Sequence, residues 1–210
     1  MMFPVFVVIA LASIVISGIA PKERGTWVLE VAPVAIALVL LVWTRKRFPL
    51  TPLAYALISI HSIILSVGGH YTYAEVPLGF WMERALDFSR NHYDRIGHFV
   101  QGFVPALIAR EILIRCSPLK RGAWLSFVVM CICLAISAFY EMLEWWTALI
   151  AGAGAVAFLG TQGDIWDTQW DMFLALLGAL TCVAFLSRAH DRALTRLPGA
   201  ATPAPGDAAM

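Results

Sequence analysis

The chain has 210 residues, 60% of them hydrophobic and only 14% charged, with a formal net charge of +1. Soluble domains carry nearer a quarter charged residues, and several apolar runs here reach the length of a bilayer core, so the composition describes a multi-pass membrane protein. Near-neutral charge gives no footing for nucleic acid, and no polar stretch is long enough to fold as a second domain.

In chain order, the hydropathy pattern predicts six spans at about 3–20, 27–43, 52–70, 95–115, 123–149 and 168–187, making an all-α membrane bundle in one domain over residues 1–197. The first span lacks a basic n-region and another apolar span follows it closely, so it reads as a retained helix rather than a cleaved signal peptide. Residues 71–94 are the longest polar connection. Within it Leu78, Trp81, Met82 and Ala85 share a helical face, as in a short helix lying in the membrane interface, with an ordinary loop as the alternative because Gly79 weakens the pattern. The fifth connection, Ala151 to Gly160, is small, apolar and uncharged; it reads as a re-entrant segment, a lid or a glycine-broken extension of span five. Pro198 to Met210 is rich in Ala, Pro and Gly and is predicted to be a disordered cytoplasmic tail.

Six spans place both termini on one side. Arg45, Lys46, Arg47, Arg115, Lys120, Arg121, Arg188, Arg192 and Arg196 share that side, against Lys22, Arg24, Arg84, Arg90 and Arg95 on the other. Nine against five puts the termini inside, by the excess of basic residues in cytoplasmic loops. In a bacterium the 71–94 and 150–167 connections then face the periplasm.

This topology gathers the polar residues at the outer ends of the spans. Span three ends at His70, span four begins at Asp94 and His98 with Gln101 one turn deeper, and span five ends near Ser137, Glu141 and Glu144. Span six opens with Asp164, Asp167 and Asp171, which fall within about 60° of one another if all three are helical. That stripe continues inward to Gly178, where a small residue allows close helix approach. The inner ends carry basic residues without a comparable acidic and histidine cluster. Carboxylates at the edge of a hydrocarbon layer need a partner, an ion or a wet cavity, so the three stripes predict one shared interior site.

Three chemistries fit that site. The carboxylates cap helices, pair with Arg84, Arg90 and Arg95 and hold the bundle in register; or His98, Asp94, Glu141, Asp167 and Asp171 hold a divalent metal ion; or Glu141, Glu144 and His98 exchange protons during transport. Arg90 and Arg95, with Trp166, are candidates for contact with a phosphate or lipid headgroup, because guanidinium forks match phosphate oxygens. His61 is expected to be a satisfied core histidine, His190 to be solvated, and the four cysteines to pack as small apolar side chains. Trp145, Trp146, Trp166 and Trp170 form an aromatic belt at the outer interface.

Three strings, His92-Tyr93-Asp94-Arg95-Ile96-Gly97-His98-Phe99, Tyr140-Glu141-Met142-Leu143-Glu144-Trp145 and Gly160 through Met172, resemble the YjdF-type family of small multi-pass bacterial inner-membrane proteins. The resemblance covers most of the chain and implies the bacterial inner membrane, with no reaction attached. A fainter similarity is to VanZ-like membrane proteins, through Asp94-Arg95 with His98, Glu141 or Glu144, and the Asp164, Asp167, Asp171 and Gly178 pattern, with Asp171 where Asn is usual. It implies the outer leaflet and envelope lipids. The expected function is recognition or processing of a lipid or lipid-linked headgroup in a periplasm-facing pocket, against a proton-coupled transporter of a small polar solute or a non-catalytic accessory protein.

Overall fold

The computed structural model describes residues 2–152 and 156–197. The tail from Pro198 and the middle of the glycine-rich connection, residues 153–155, lie outside the described residues. Helices α1 (Met2–Ser17), α2 (Arg24–Thr44), α3 (Pro52–Tyr71), α5 (Tyr93–Cys116), α6 (Ala123–Ala151) and α8 (Asp167–Leu194) form the bundle. A short 3₁₀ turn (Tyr73–Glu75), α4 (Pro77–Leu86) and α7 (Val156–Leu159) lie between them. No strand occurs among the described residues.

Four helices, α2, α3, α6 and α8, are long and apolar enough to cross a membrane. Helix α1 is shorter, at 16 residues. Helix α5 has 24 residues, about 36 Å at the helical rise, but it buries Asp94, His98, Arg110 and Glu111. Its polarity follows from its position. It packs on α3, α6 and α8 at once and presents little surface to lipid, so its charged residues face neighbouring helices.

The apolar core occupies the middle of the bundle, where Phe6 of α1, Tyr55 of α3, Leu107 of α5, Val129 of α6 and Ala179 of α8 are buried together. The closest contact joins α5 to α8. A Cβ at Gly102 would stand 1.8 Å from the Ala175 carbonyl oxygen, and one at Gly178 would stand 2.0 Å from that of Phe99. Only glycine fits at either position, so the predicted close approach at Gly178 is realised. About two and three turns from Gly178 toward the N-terminus of α8, the same helix carries the buried Asp171 and Asp167.

The interface pattern in the third connection, residues 71–94, is a helix, α4, with Leu78, Trp81 and Leu86 at 49%, 60% and 58% exposure. Trp145, Trp146, Trp166 and Trp170 also point outward. In the fifth connection α6 runs on to Ala151, and α7 turns back against the 3₁₀ turn, burying Phe158.

Three side-chain expectations need correction. Cys133 and Cys182 are buried, but Cys116 and Cys131 are exposed; Cys131, two residues from Cys133 on α6, faces nearly the opposite way, and Cys116 ends α5. His61 Nε2 is buried without a hydrogen-bond partner, so that histidine is not satisfied by the protein. His190 is fully buried rather than solvated.

His190 belongs to a polar network that sequence reasoning missed at the other end of the bundle. Glu111 accepts from the Thr51 backbone N–H at 3.0 Å, the Thr51 hydroxyl at 2.8 Å and Arg115 Nη1 at 2.7 Å. Arg110 Nη1 lies 3.0 Å from His190 Nδ1 and can only donate, so Nδ1 accepts and Nε2–H donates to Glu111 at 3.1 Å. Arg110 Nη2 and Arg121 Nε both reach Asp191, at 2.8 and 2.9 Å. Both oxygens of Glu111 and both nitrogens of His190 are therefore engaged. The network fastens the start of α3 to α5 and α8.

Candidate functional site

At the opposite end, the sequence-predicted residues converge. His98 is 6% exposed and stands between three helices. Its Nε2 lies 3.4 Å from Asp94 Oδ1, one turn back on α5, and 3.8 Å from Asp171 Oδ2 on α8. Its Nδ1 lies 3.9 Å from Glu141 Oε1 on α6. Glu144, one turn beyond Glu141, offers a carboxylate oxygen within 4.8 Å of both neighbours in the set His98, Glu141 and Glu144. Gln101 lines the adjoining cavity with Asp94, His98 and Glu144.

The three aspartates of the last span do not form one helical stripe. Helix α8 starts at Asp167, so Asp164 sits in the preceding loop, where its Oδ1 accepts the Trp166 backbone N–H at 2.9 Å. From there Asp164 pairs with Arg95 at 2.9 Å and with Arg90 at 3.5 Å. Asp167 Oδ1 is 2.7 Å from Arg90 Nη2, off the direction needed for an aligned hydrogen bond, so the contact is an ion pair by distance. Arg90 Nη1 also donates to the Thr161 carbonyl at 2.7 Å. Both candidate headgroup arginines are thus engaged by Asp164 and Asp167, and Arg95 also lies over the Trp170 ring at 5.1 Å. Trp166 is 59% exposed and does not line the polar cavity.

The loop before α8 is clamped to the start of α5 by a second device. Gln162 Oε1 accepts the Asn91 backbone N–H at 3.1 Å, and its Nε2 donates to the Asn91 carbonyl at 2.8 Å. Asn91 in turn donates to the Val76 carbonyl at 3.0 Å and accepts from the Tyr93 N–H at 3.0 Å. His92 follows at the N-cap of α5. Burial first, then the nearby Arg95 and Arg90 charges, hold its imidazole below the ordinary histidine value.

Two further groups were absent from the sequence-based site. Glu30, the one carboxylate inside α2, is 4% exposed and accepts from the Tyr140 hydroxyl at 3.0 Å. An isolated carboxylate in so apolar a run was a usable signal. Tyr73 is 7% exposed and fits between two glycines, since a Cβ at Gly68 or Gly97 would come within 2.4 or 2.7 Å of its ring. Burial and then the Glu30 charge push its hydroxyl well above the ordinary tyrosine value, so it stays a protonated donor.

Glu30, Tyr73, Asp94, His98, Gln101 and Glu144 surround a cavity of about 170 Å³. A larger apolar groove of about 540 Å³ runs down α2, α3 and α5, past Leu40 and Ile112 on the outer surface. The two share four walls, Pro33, His61, Leu65 and Pro105. Pro33 and Pro105 each lack the N–H that would close a helical bond to the residue four back, so both helices are perturbed where the cavity meets the groove.

With this geometry in place, comparison with known proteins gives two findings. Residues 2–192 match the family model described as Predicted membrane protein (DUF2238). The chain belongs to that family. It is also 57% identical over 183 residues to the inner membrane protein YjdF of Escherichia coli (strain K12), covering 87% of this chain and 88% of the relative. No solved structure matches. This member of the family is a multi-pass inner-membrane protein, as the apolar helices and these relatives agree.

Proposed function

We propose that this protein binds an envelope lipid, or the lipid-linked form of a polar group, with the headgroup in the Asp94–His98 cavity and the acyl chain in the apolar groove. In this reading α1, α2, α3, α5, α6 and α8 all cross the membrane, both termini are cytoplasmic, and the cavity faces the periplasmic leaflet, in keeping with the distribution of basic residues. The observation that carries the proposal is the shared wall of Pro33, His61, Leu65 and Pro105 between a polar cavity and a lipid-facing groove. An amphiphile needs both compartments and a lateral opening between them.

The contrast between the two ends of the bundle supports a binding role. Around Glu111 the protein satisfies its own buried charges. Around His98 it leaves His98 Nδ1, Glu141 Oε1 and Asp171 Oδ1 buried without hydrogen-bond partners. Buried polar atoms are normally paired, and unpaired ones in a cluster mark a place for a ligand or ion. The alternative of proton-coupled transport of a polar solute is less well supported. Inward of His61 the groove is walled mainly by apolar side chains, Val34, Ile58, Val104 and Ile108 among them, with Thr44 at the inner end of α2.

The deciding experiment is lipid profiling of a deletion strain, complemented with wild type or with Asp94→Asn/His98→Ala. The proposal expects altered pools of one envelope lipid or lipid-linked intermediate, restored by wild type and not by the variant. Unchanged pools in the deletion strain, together with proton-linked solute flux in proteoliposomes, would favour the transporter instead.

A further inference from the structure

We infer that Asp94, His98 and Asp171 bind a divalent transition-metal ion of the Zn²⁺ or Mn²⁺ type, with Glu141 as the carboxylate that orients the imidazole. One ligand atom from each of Asp94, His98 and Asp171 lies within 4.8 Å of the other two. The measured separations, 3.4 Å from His98 Nε2 to Asp94 and 3.8 Å to Asp171, are close to the spacing of ligands on one ion. Ligands at about 2.0–2.2 Å from zinc stand roughly 3.3–3.6 Å apart in a tetrahedron. The Asp94 and Asp171 oxygens lie within 4.8 Å of each other, so drawing the three groups onto one ion takes shifts of no more than about 1 Å.

The two ring nitrogens of His98 face different partners, which divides the roles. Nε2 faces the two aspartates and Nδ1 faces Glu141 Oε1 at 3.9 Å. A metal-bound histidine typically gives its other N–H to a carboxylate, which fixes the tautomer and ring plane. Beyond the spacing of the ligands, three buried atoms here have no hydrogen-bond partner: the His98 imidazole Nδ1, Glu141 Oε1 and Asp171 Oδ1, on residues 6%, 8% and 2% exposed. Asp167 Oδ1 also lacks an aligned hydrogen bond, but Arg90 Nη2 at 2.7 Å supplies its counter-charge, so Asp167 is left out of the ligand set.

Charge balance points the same way. Glu30, Asp94, Glu141, Glu144 and Asp171 gather around one imidazole, while Arg90 and Arg95 are taken by Asp164 and Asp167. Five carboxylates at the edge of a membrane need compensation by protons or cations, and a divalent ion supplies two of those positive charges at the centre of the cluster. A three-residue site on two helices locked together at Gly102 and Gly178 leaves coordination positions open. If the lipid reading holds, a phosphate oxygen or water from the adjoining cavity fills one of them; the metal site itself does not depend on that reading.

The test uses the full-length, tag-free protein in detergent, stripped with chelator and then given ZnCl₂ or MnCl₂ alone. Elemental analysis after dialysis is expected to give about one ion per chain for the wild type, with a metal-dependent rise in its unfolding temperature. Asp94→Asn, Asp171→Asn and His98→Ala should each weaken binding at least tenfold. Glu141→Gln should keep the ion with roughly 10–100-fold lower affinity. Asp164→Asn should leave binding unchanged. If a variant does not fold, the remaining variants and the wild-type stoichiometry still decide. No saturable binding by the wild type, or equal binding by Asp171→Asn, overturns the site and assigns protons as the compensating charge. Metal binding with unaltered lipid pools would sustain the site and sink the lipid reading; the reverse pattern would do the opposite.

Discussion

Replacing Gly178 with alanine tests whether the α5–α8 contact positions the site. The new methyl would lie 2.0 Å from the Phe99 carbonyl oxygen and 2.9 Å from the Phe103 nitrogen. Both are backbone atoms, which cannot rotate away as a side-chain tip does. Restoring an ordinary contact near 3.4 Å requires the helices to part by about 1.4 Å. Added at the His98–Asp171 separation of 3.8 Å, that opens the pair to about 5 Å. Two ligands of one zinc ion can stand no more than roughly 4.4 Å apart. Overpacking of this kind costs about 1–3 kcal/mol, and the rigid backbone places it at the upper end. Gly178→Ala should therefore lower the unfolding free energy by about 3 kcal/mol in a denaturation titration and abolish Zn²⁺-dependent stabilisation. Gly25→Ala is the control: its Cβ meets nothing within 4 Å, and alanine is the better helix former. If Gly178→Ala unfolds like wild type and still binds zinc, the two backbones are not the clamp described above.

Glu111→Ala should destabilise the fold by about 3–5 kcal/mol without changing metal binding, because it strands Thr51, Arg115 and His190 far from the site; chemical denaturation and elemental analysis read the two effects separately. Arg90→Ala should cost a similar amount, since Asp167 is left buried with no counter-charge. The double variant Arg90→Ala/Asp167→Ala should recover a measurable part of that loss, and strict additivity would show that the pair contributes nothing. His92 sets a pH dependence. Its folded-state value is depressed, so the unfolded chain takes up a proton near pH 6.5 that the folded protein resists. Stability should fall as pH drops through about 6.5 and level off below the depressed folded value, and His92→Gln should flatten that step in a series of melting curves.

Some of this site could be read from the chain because the helix period makes it visible. Asp94, His98 and Gln101 share a face by spacing alone, Glu141 and Glu144 recur likewise, and counting spans places all of them at one end. Gly178 was legible for the same reason, one face of α8 carrying both the aspartates and the small residue. Asp164 was misplaced because the helix start is set by a local turn: its own side chain accepts the Trp166 N–H, which keeps it off the helix. The Glu111 network was invisible for a different reason. Thr51, Glu111 and His190 come from three distant parts of the chain, and no local periodicity links a single charge in one span to a histidine 79 residues later. The pairing of Arg90 and Arg95 with aspartates was one reading open from the sequence, but a guanidinium beside a membrane serves phosphate and carboxylate equally well until the loop from Gly160 to Trp166 is folded over it.

The central claim is that one amphiphile occupies both the polar cavity and the apolar groove. Ala37 lines the groove away from the shared wall and from every carboxylate of the site. Mass spectrometry of lipids retained by purified wild type and by Ala37→Trp tests the claim most directly. The account predicts one lipid class enriched over the bulk membrane on wild type and lost from Ala37→Trp, with metal binding at Asp94, His98 and Asp171 intact. Retained lipids that match the bulk membrane on both proteins would contradict it.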